Sequence, residues 1–142
     1  MKKFFLPFLL LLGVSILLNA CSSRVDQISL QVNVIKLEHK ADGNFLATLQ
    51  FSNPNVGSVN VEKSTHQLFL NGKPAGVLEI TEPIGLPAQQ SVTTTATFRL
   101  TGLPADFSGA VSYQLVSSML LRVFDDTTER CKSSSSGTVT MP

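Results

Sequence analysis

"FLATLQFSNPN", residues 45–55, is the stretch whose reading decides the fold. Phe45, Ala47, Leu49 and Phe51 recur at every second position. A period of two places them on one face of a β-strand, whereas one face of a helix needs spacings of three and four. The pattern stops at Asn53-Pro54-Asn55. Proline has no N–H to give to a ladder, and it pushes the residue before it, Asn53, toward extended backbone. Asparagine side chains can cap the backbone groups that such a stop leaves open, so the tripeptide has a structural explanation that needs no ligand.

The same alternation continues on both sides. Upstream, Ile28, Leu30, Val32 and Val34 share one face, and Gln27, Ser29, Gln31 and Asn33 share the other. The apolar parity then shifts to Ile35 and Leu37, which predicts a β-bulge or a strand that changes sheet. Ala41-Asp42-Gly43-Asn44 supplies a turn before Phe45, with Asp-Gly as the hairpin signal. Downstream, short strands are predicted at Val59–Val61 and about Gln67–Leu70. Asn71-Gly72 favours a type I′ turn, so Thr65–Leu70 and Lys73–Ile80 should form a hairpin. Pro83, Gly85 and Pro87 mark a loop that crosses the fold. Val92, Thr94, Ala96, Phe98 and Leu100 face one way, opposite Ser91, Thr93, Thr95, Thr97 and Arg99, as in a strand with one wet face.

A short helical turn is expected near Pro104-Ala105-Asp106-Phe107. Val111 to Phe124 reads as a long strand interrupted at Ser117-Ser118, Asp125-Asp126 as a turn, and Ser133–Ser136 as a polar connector to a final strand at Gly137–Met141. About seven strands with turns every 8 to 12 residues predict an all-β, immunoglobulin- or fibronectin-III-like antiparallel sandwich.

Ahead of this domain the chain opens Met1-Lys2-Lys3 and runs apolar from Phe4 to Leu18. Fifteen helical residues rise about 22 Å, short of the roughly 20 residues that cross a bilayer core. A basic start, a short apolar middle and the small residue Ala20 form a helical secretory signal peptide. A buried N-terminal helix is the other reading, weakened by the near absence of a polar face. Removing residues 1–20 leaves 122 of the 142 residues, enough for one domain with a real core. Lys2 and Lys3 leave with the signal, so Lys+Arg falls from 11 to 9 against 10 Asp+Glu. That balance suggests neither a nucleic-acid partner nor electrostatic attraction to anionic lipid.

Little in the chain points to chemistry. His39 and His66 stand far apart, without Cys or carboxylate at metal-ligand spacing, and are expected at strand ends or on the surface. No Gly-x-Ser-x-Gly elbow is present, and neither histidine has an evident acidic orienter. Asp125-Asp126 with Glu129 lacks the alternating oxygen pattern of calcium loops and reads as an acidic turn. No catalytic residue, metal or cofactor is assigned, and a non-enzymatic protein is expected.

Leu18-Asn19-Ala20-Cys21 resembles the lipobox of bacterial lipoproteins: a branched apolar residue, a tolerant position, a small residue and cysteine. Asn19 departs from the commoner Ala, Ser or Thr. The resemblance implies cleavage between Ala20 and Cys21, diacylglycerol on the Cys21 thiol and N-acylation of the new terminus. One acyl chain holds a protein marginally, and two or three anchor it stably. The competing reading is a Cys21–Cys131 disulfide in a secreted protein, which leaves the apolar run before Cys21 without a role. With Cys21 lipidated, Cys131 is a lone thiol, expected as a half-buried strand residue rather than a nucleophile. Residues 21–26 form a tether, and its five residues Ser22 to Asp26 span at most about 17 Å, holding the 27–142 domain close to the membrane. Ser22 stands where aspartate would signal inner-membrane retention in enteric-type bacteria. By resemblance this implies the outer membrane, facing the periplasm.

The run "LQFSNPNVGSVNVEKSTHQLFLNGKPAGVLEI", then "GLPAQQSVTTTATFRL" and a closing "SSGTVTMP", resembles the late embryogenesis abundant (LEA) type 2 family, which carries the water-stress and hypersensitive-response (WHy) domain. The matching features are Asn53-Pro54-Asn55 ending a strand, the Asn71-Gly72 hairpin, Leu86-Pro87-Ala88, the Tyr113 strand and the Gly-x-Val end. They cover about residues 27–142; Ser117-Ser118 departs from them, standing where glycine is usual. The resemblance implies a sandwich fold, stress or desiccation protection, and no catalytic residues. The expected partners are the membrane, through the lipid anchor, and an envelope protein or a lipid. One alternative function is lipid or hydrophobic-ligand transfer, with a groove lined by Phe45, Phe51, Phe69, Phe98 and Phe107. Another is an accessory subunit of an envelope complex.

Overall fold

Alternation along the chain becomes two antiparallel sheets packed face to face. The computed structural model describes residues 28–102, 108–123 and 126–142. They form eight strands: β1 (Gln31–His39), β2 (Phe45–Ser52), β3 (Val59–Leu70), β4 (Lys73–Ile80), β5 (Ile84–Leu86), β6 (Ser91–Phe98), β7 (Gly109–Arg122) and β8 (Thr128–Met141). The smaller sheet has the order β1-β2-β6, and the larger runs β4-β3-β7-β8 with β5 also paired to β3. The expected sandwich is therefore present, with eight strands in place of about seven. Signal peptide, tether and Cys21 lie outside the described residues, as do the expected helical turn at 104–107 and Asp125.

Inward-facing side chains of both sheets fill one core. Phe45, Leu49 and Phe51 from β2, Leu68 and Leu70 from β3, Leu115 and Leu121 from β7 and Leu37 from β1 are all essentially inaccessible to water. The predicted bulge in β1 lies between Val34 and Lys36. It turns Leu37 inward but leaves Ile35 half exposed, so of the two residues in the shifted parity only Leu37 joins the core. The Asn71-Gly72 hairpin is as predicted: Ser64–Leu70 pairs with Lys73–Ile80, and both turn residues have positive φ (49° and 76°). A type I′ turn needs that geometry, which Asn tolerates and Gly adopts without cost.

Three expectations fail for physical reasons. The separate strands at Val59–Val61 and Gln67–Leu70 are one strand, β3, which bulges between Val61 and Lys63 and continues through the polar inward positions Ser64 and His66. Ser117-Ser118 does not interrupt β7, because Ser117 points inward directly opposite His66. Ser133–Ser136 is no connector: β8 runs through it, paired residue by residue with β7. β8 is an edge strand lying beside β1 of the other sheet, and Ser135 Oγ donates a hydrogen bond to the Val32 carbonyl. A hydroxyl closes that side of the sandwich, so no apolar alternation is needed there. The loop expected at Pro83–Pro87 contains the three-residue strand β5, through which the chain passes from the larger sheet to the smaller.

Candidate functional site

Asn53, Pro54 and Asn55 lie where β2 ends, at the end of the sandwich where the chain enters β1. Asn53 is 2% exposed. Its Nδ2 donates to the carbonyls of Gly57 (2.9 Å), Leu86 (3.1 Å) and Pro87 (3.1 Å). Its Oδ1 accepts from the Asn55 backbone N–H (3.0 Å) and from Asn55 Nδ2 (2.8 Å). Asn55 Nδ2 also donates to the Ser29 carbonyl (2.8 Å), and the Gln89 N–H donates to the Asn55 carbonyl (3.2 Å). One amide thus ties the 54–58 loop, β5, the turn into β6 and, through Asn55, the approach to β1. Most of the tied groups are backbone atoms of loops and strand ends, so the motif is a staple.

The staple borders an open groove of about 570 Å³, lined by Ile28, Pro54, Val56, Val59, Val123 and Glu129 among others. Most of its wall is apolar. Val56, at the tip of the loop, is 89% exposed, the highest value among the exposed large apolar side chains described. Cys131 lies on β8 beside this region, buried, with Sγ 3.6 Å from the Ile28 carbonyl.

A second polar group went unseen in the sequence. His66, expected at a strand end or on the surface, is fully buried in the core. Its Nδ1 is 2.7 Å from Ser117 Oγ and its Nε2 is 2.8 Å from Ser64 Oγ. The Phe51 ring stands edge-on to it at 5.6 Å. Burial disfavours the imidazolium and lowers the pKa from 6.5 to about 4. A neutral imidazole offers one donor and one acceptor, which two hydroxyls complete in either tautomer. It brings serine and histidine together inside the core: His66 and Ser117 are inaccessible or nearly so, and Ser64, 3% exposed, borders a small surface hollow. His39 ends β1 on the surface, edge-on to Phe45.

Among the described residues no three His, Cys, Asp or Glu side chains converge as metal ligands, and every buried side-chain nitrogen and oxygen has a hydrogen-bond partner. The phenylalanine-lined groove is not formed: Phe45, Phe51 and Phe98 are core residues, Phe69 is half-buried, and Phe107 lies outside the described residues.

With an antiparallel sandwich and a stapled end defined, solved structures can be compared. The chain is similar in fold to the solution structure of AT1g01470 from Arabidopsis thaliana, with a TM-score of 0.58 and 15% identity, covering 85% of this chain and 88% of that one. Weaker likenesses are to a protein from Archaeoglobus fulgidus (TM-score 0.44, 12% identity, 79% and 94% covered) and to a candidate LEA protein, At2g46140.1 (TM-score 0.42, 12% identity, 96% and 83% covered). No family model and no curated protein sequence matches the chain.

Proposed function

We propose that this chain is a non-enzymatic, lipid-anchored envelope protein of the LEA type 2 kind, held to a membrane through Cys21 and acting there in stress or desiccation protection. The observation that carries the reading is Leu18-Asn19-Ala20-Cys21 at the end of a basic-then-apolar leader, directly ahead of an autonomous sandwich core. The non-enzymatic part is supported by the burial of the serine–histidine cluster, with both ring nitrogens taken up by hydroxyls, and by the structural use of Asn53 and Asn55. The Asn-Pro-Asn stop and the ordered motifs after it support the family reading.

Two measurements test this. The protein should partition into the detergent phase of a cloud-point extraction, and Cys21→Ser should abolish acylation and signal cleavage. Cells lacking the protein should survive drying less well than cells carrying it, with Cys21→Ser failing to rescue. Equal survival of all three strains would overturn the protective role, and wild-type protein that carries no acyl chain would overturn the anchor.

A further inference from the structure

The two ends of the sandwich differ. Both carry charge, the far end Lys40 and Asp42 on the β1–β2 turn and Lys73 after the β3–β4 turn, the stapled end Arg122, Asp126 and Glu129 about the β7–β8 turn, but their connections are unlike. The stapled end is crossed by Asn53–Val61, nine residues without a single charge. Their tip, Val56, projects into solvent from a loop fixed at both feet: Asn53 Nδ2 holds the Gly57 carbonyl, and the Asn55 carbonyl accepts from Gln89. Behind it lies the groove walled by Ile28, Pro54, Val59 and Val123. Val56 and the apolar wall of the groove form one contiguous patch, and such patches mark contact with another apolar surface where a lone exposed side chain would not.

What covers the tip follows from where the chain comes from. Ile28 lines the groove and runs beside Cys131 at the start of β8, so the polypeptide reaches the sandwich at this end. Cys21 lies seven residues earlier, within about 25 Å even if the chain is fully extended. An acyl chain on Cys21 therefore keeps this end within about 25 Å of the lipid, nearer its attachment than the far end is. Arg130 and Lys132 on β8 line a neighbouring hollow that shares Ile28 and Glu129 with the groove, and Lys63 on β3 lies beside Arg130; none is in an ion pair among the described residues, while Arg122 is held by Glu62 and Asp126. Glu129 at the rim and the exposed Asp126 on the β7–β8 turn are the acidic residues nearby.

We propose that the stapled end docks on the bilayer surface, with Val56 and Pro54 dipping into the acyl boundary and Arg130, Lys132 and Lys63 near the headgroup phosphates. The docking rests on the Cys21 anchor, which supplies the high local concentration that lets one small apolar tip engage. The staple then has a purpose beyond closing the fold, since it presents Val56 with little ordering left to complete.

The chain contains no tryptophan, which makes the test direct. Val56→Trp, and Val77→Trp as a control on the half-exposed outer face of β4, are each purified as the lipidated protein and reconstituted into phosphatidylcholine–phosphatidylglycerol vesicles. Docking predicts that both variants float with the vesicles. It also predicts that the indole emission of Val56→Trp shifts to the blue and is quenched by brominated acyl chains. The Val77→Trp protein should keep the emission of a water-exposed indole. Flotation with the two variants behaving alike in fluorescence would overturn the docking and leave the anchor standing. A blue shift without quenching would mean that a second copy or a bound ligand covers the tip, and would also overturn it. Protein that fails to float would overturn anchor and docking together.

Discussion

Asn53 and His66 are both polar, both buried and both fully hydrogen-bonded, yet they are held in opposite ways. Asn53 bonds to backbone atoms: three carbonyls, and the N–H of Asn55 together with its side chain. His66 bonds only to side chains, the hydroxyls of Ser64 and Ser117. Backbone groups cannot be mutated away, so whatever replaces Asn53 must still serve them. The His66 cluster can be removed as a unit. One group is therefore indispensable to the fold, and the other is a choice made by this sequence.

The largest effect should come from Asn53→Ala, which takes the side-chain donor from the Gly57, Leu86 and Pro87 carbonyls, the Leu86 bond being buried, and leaves Pro87 with the Gln90 N–H. A loss of about 3–4 kcal/mol is expected in urea unfolding, with no compensating second substitution available. Close behind is a pH effect confined to His66. Its folded-state pKa lies near 4 against 6.5 for a free imidazole, so between those values the unfolded chain binds more protons. The stability due to the neutral ring is complete above about pH 6.5 and declines as pH falls toward 4, by up to about 3 kcal/mol. A denaturation series from pH 7.5 to 4 reads this, and Asn53 variants should keep the same slope.

His66→Leu alone strands two buried hydroxyls and should cost about 2 kcal/mol. The combined Ser64→Ala, His66→Leu, Ser117→Ala variant should recover most of that loss and lose the pH slope. A triple variant no more stable than the single one would erase the contrast between the two groups. Smaller still, Asn55→Ala removes the bond to the Ser29 carbonyl and should cost about 1 kcal/mol. Glu62→Gln breaks an ion pair with Arg122 on the surface at 3.2 Å and should change the unfolding free energy from urea denaturation by less than about 0.5 kcal/mol.

The same contrast explains what could be read from the sequence. Asn53-Pro54-Asn55 is a local signal: proline stops the ladder beside its own amides, and the partners include the residues that follow. The hairpin at Asn71-Gly72 and the bulge after Val34 are local in the same sense. His66 and Ser117 meet only through the pairing of β3 with β7, across 51 residues of chain, and a serine in the core looks like a break in a strand until its partner is known. That one cluster split β3 and interrupted β7 in the sequence reading. Ser135 hid β8 likewise, by bonding to a strand about a hundred residues earlier. The groove at the stapled end was not legible either, because Ile28, Val56 and Val123 come from three separate segments.

Anchor, docking and protective role all turn on Cys21, and mass spectrometry of the N-terminal peptide of membrane-extracted protein addresses it most directly. A lipid-anchored protein yields a peptide beginning at Cys21 and carrying a diacylglycerol thioether and an N-acyl group. A peptide beginning at unmodified Ser22, or one that still carries Met1, would contradict the anchor.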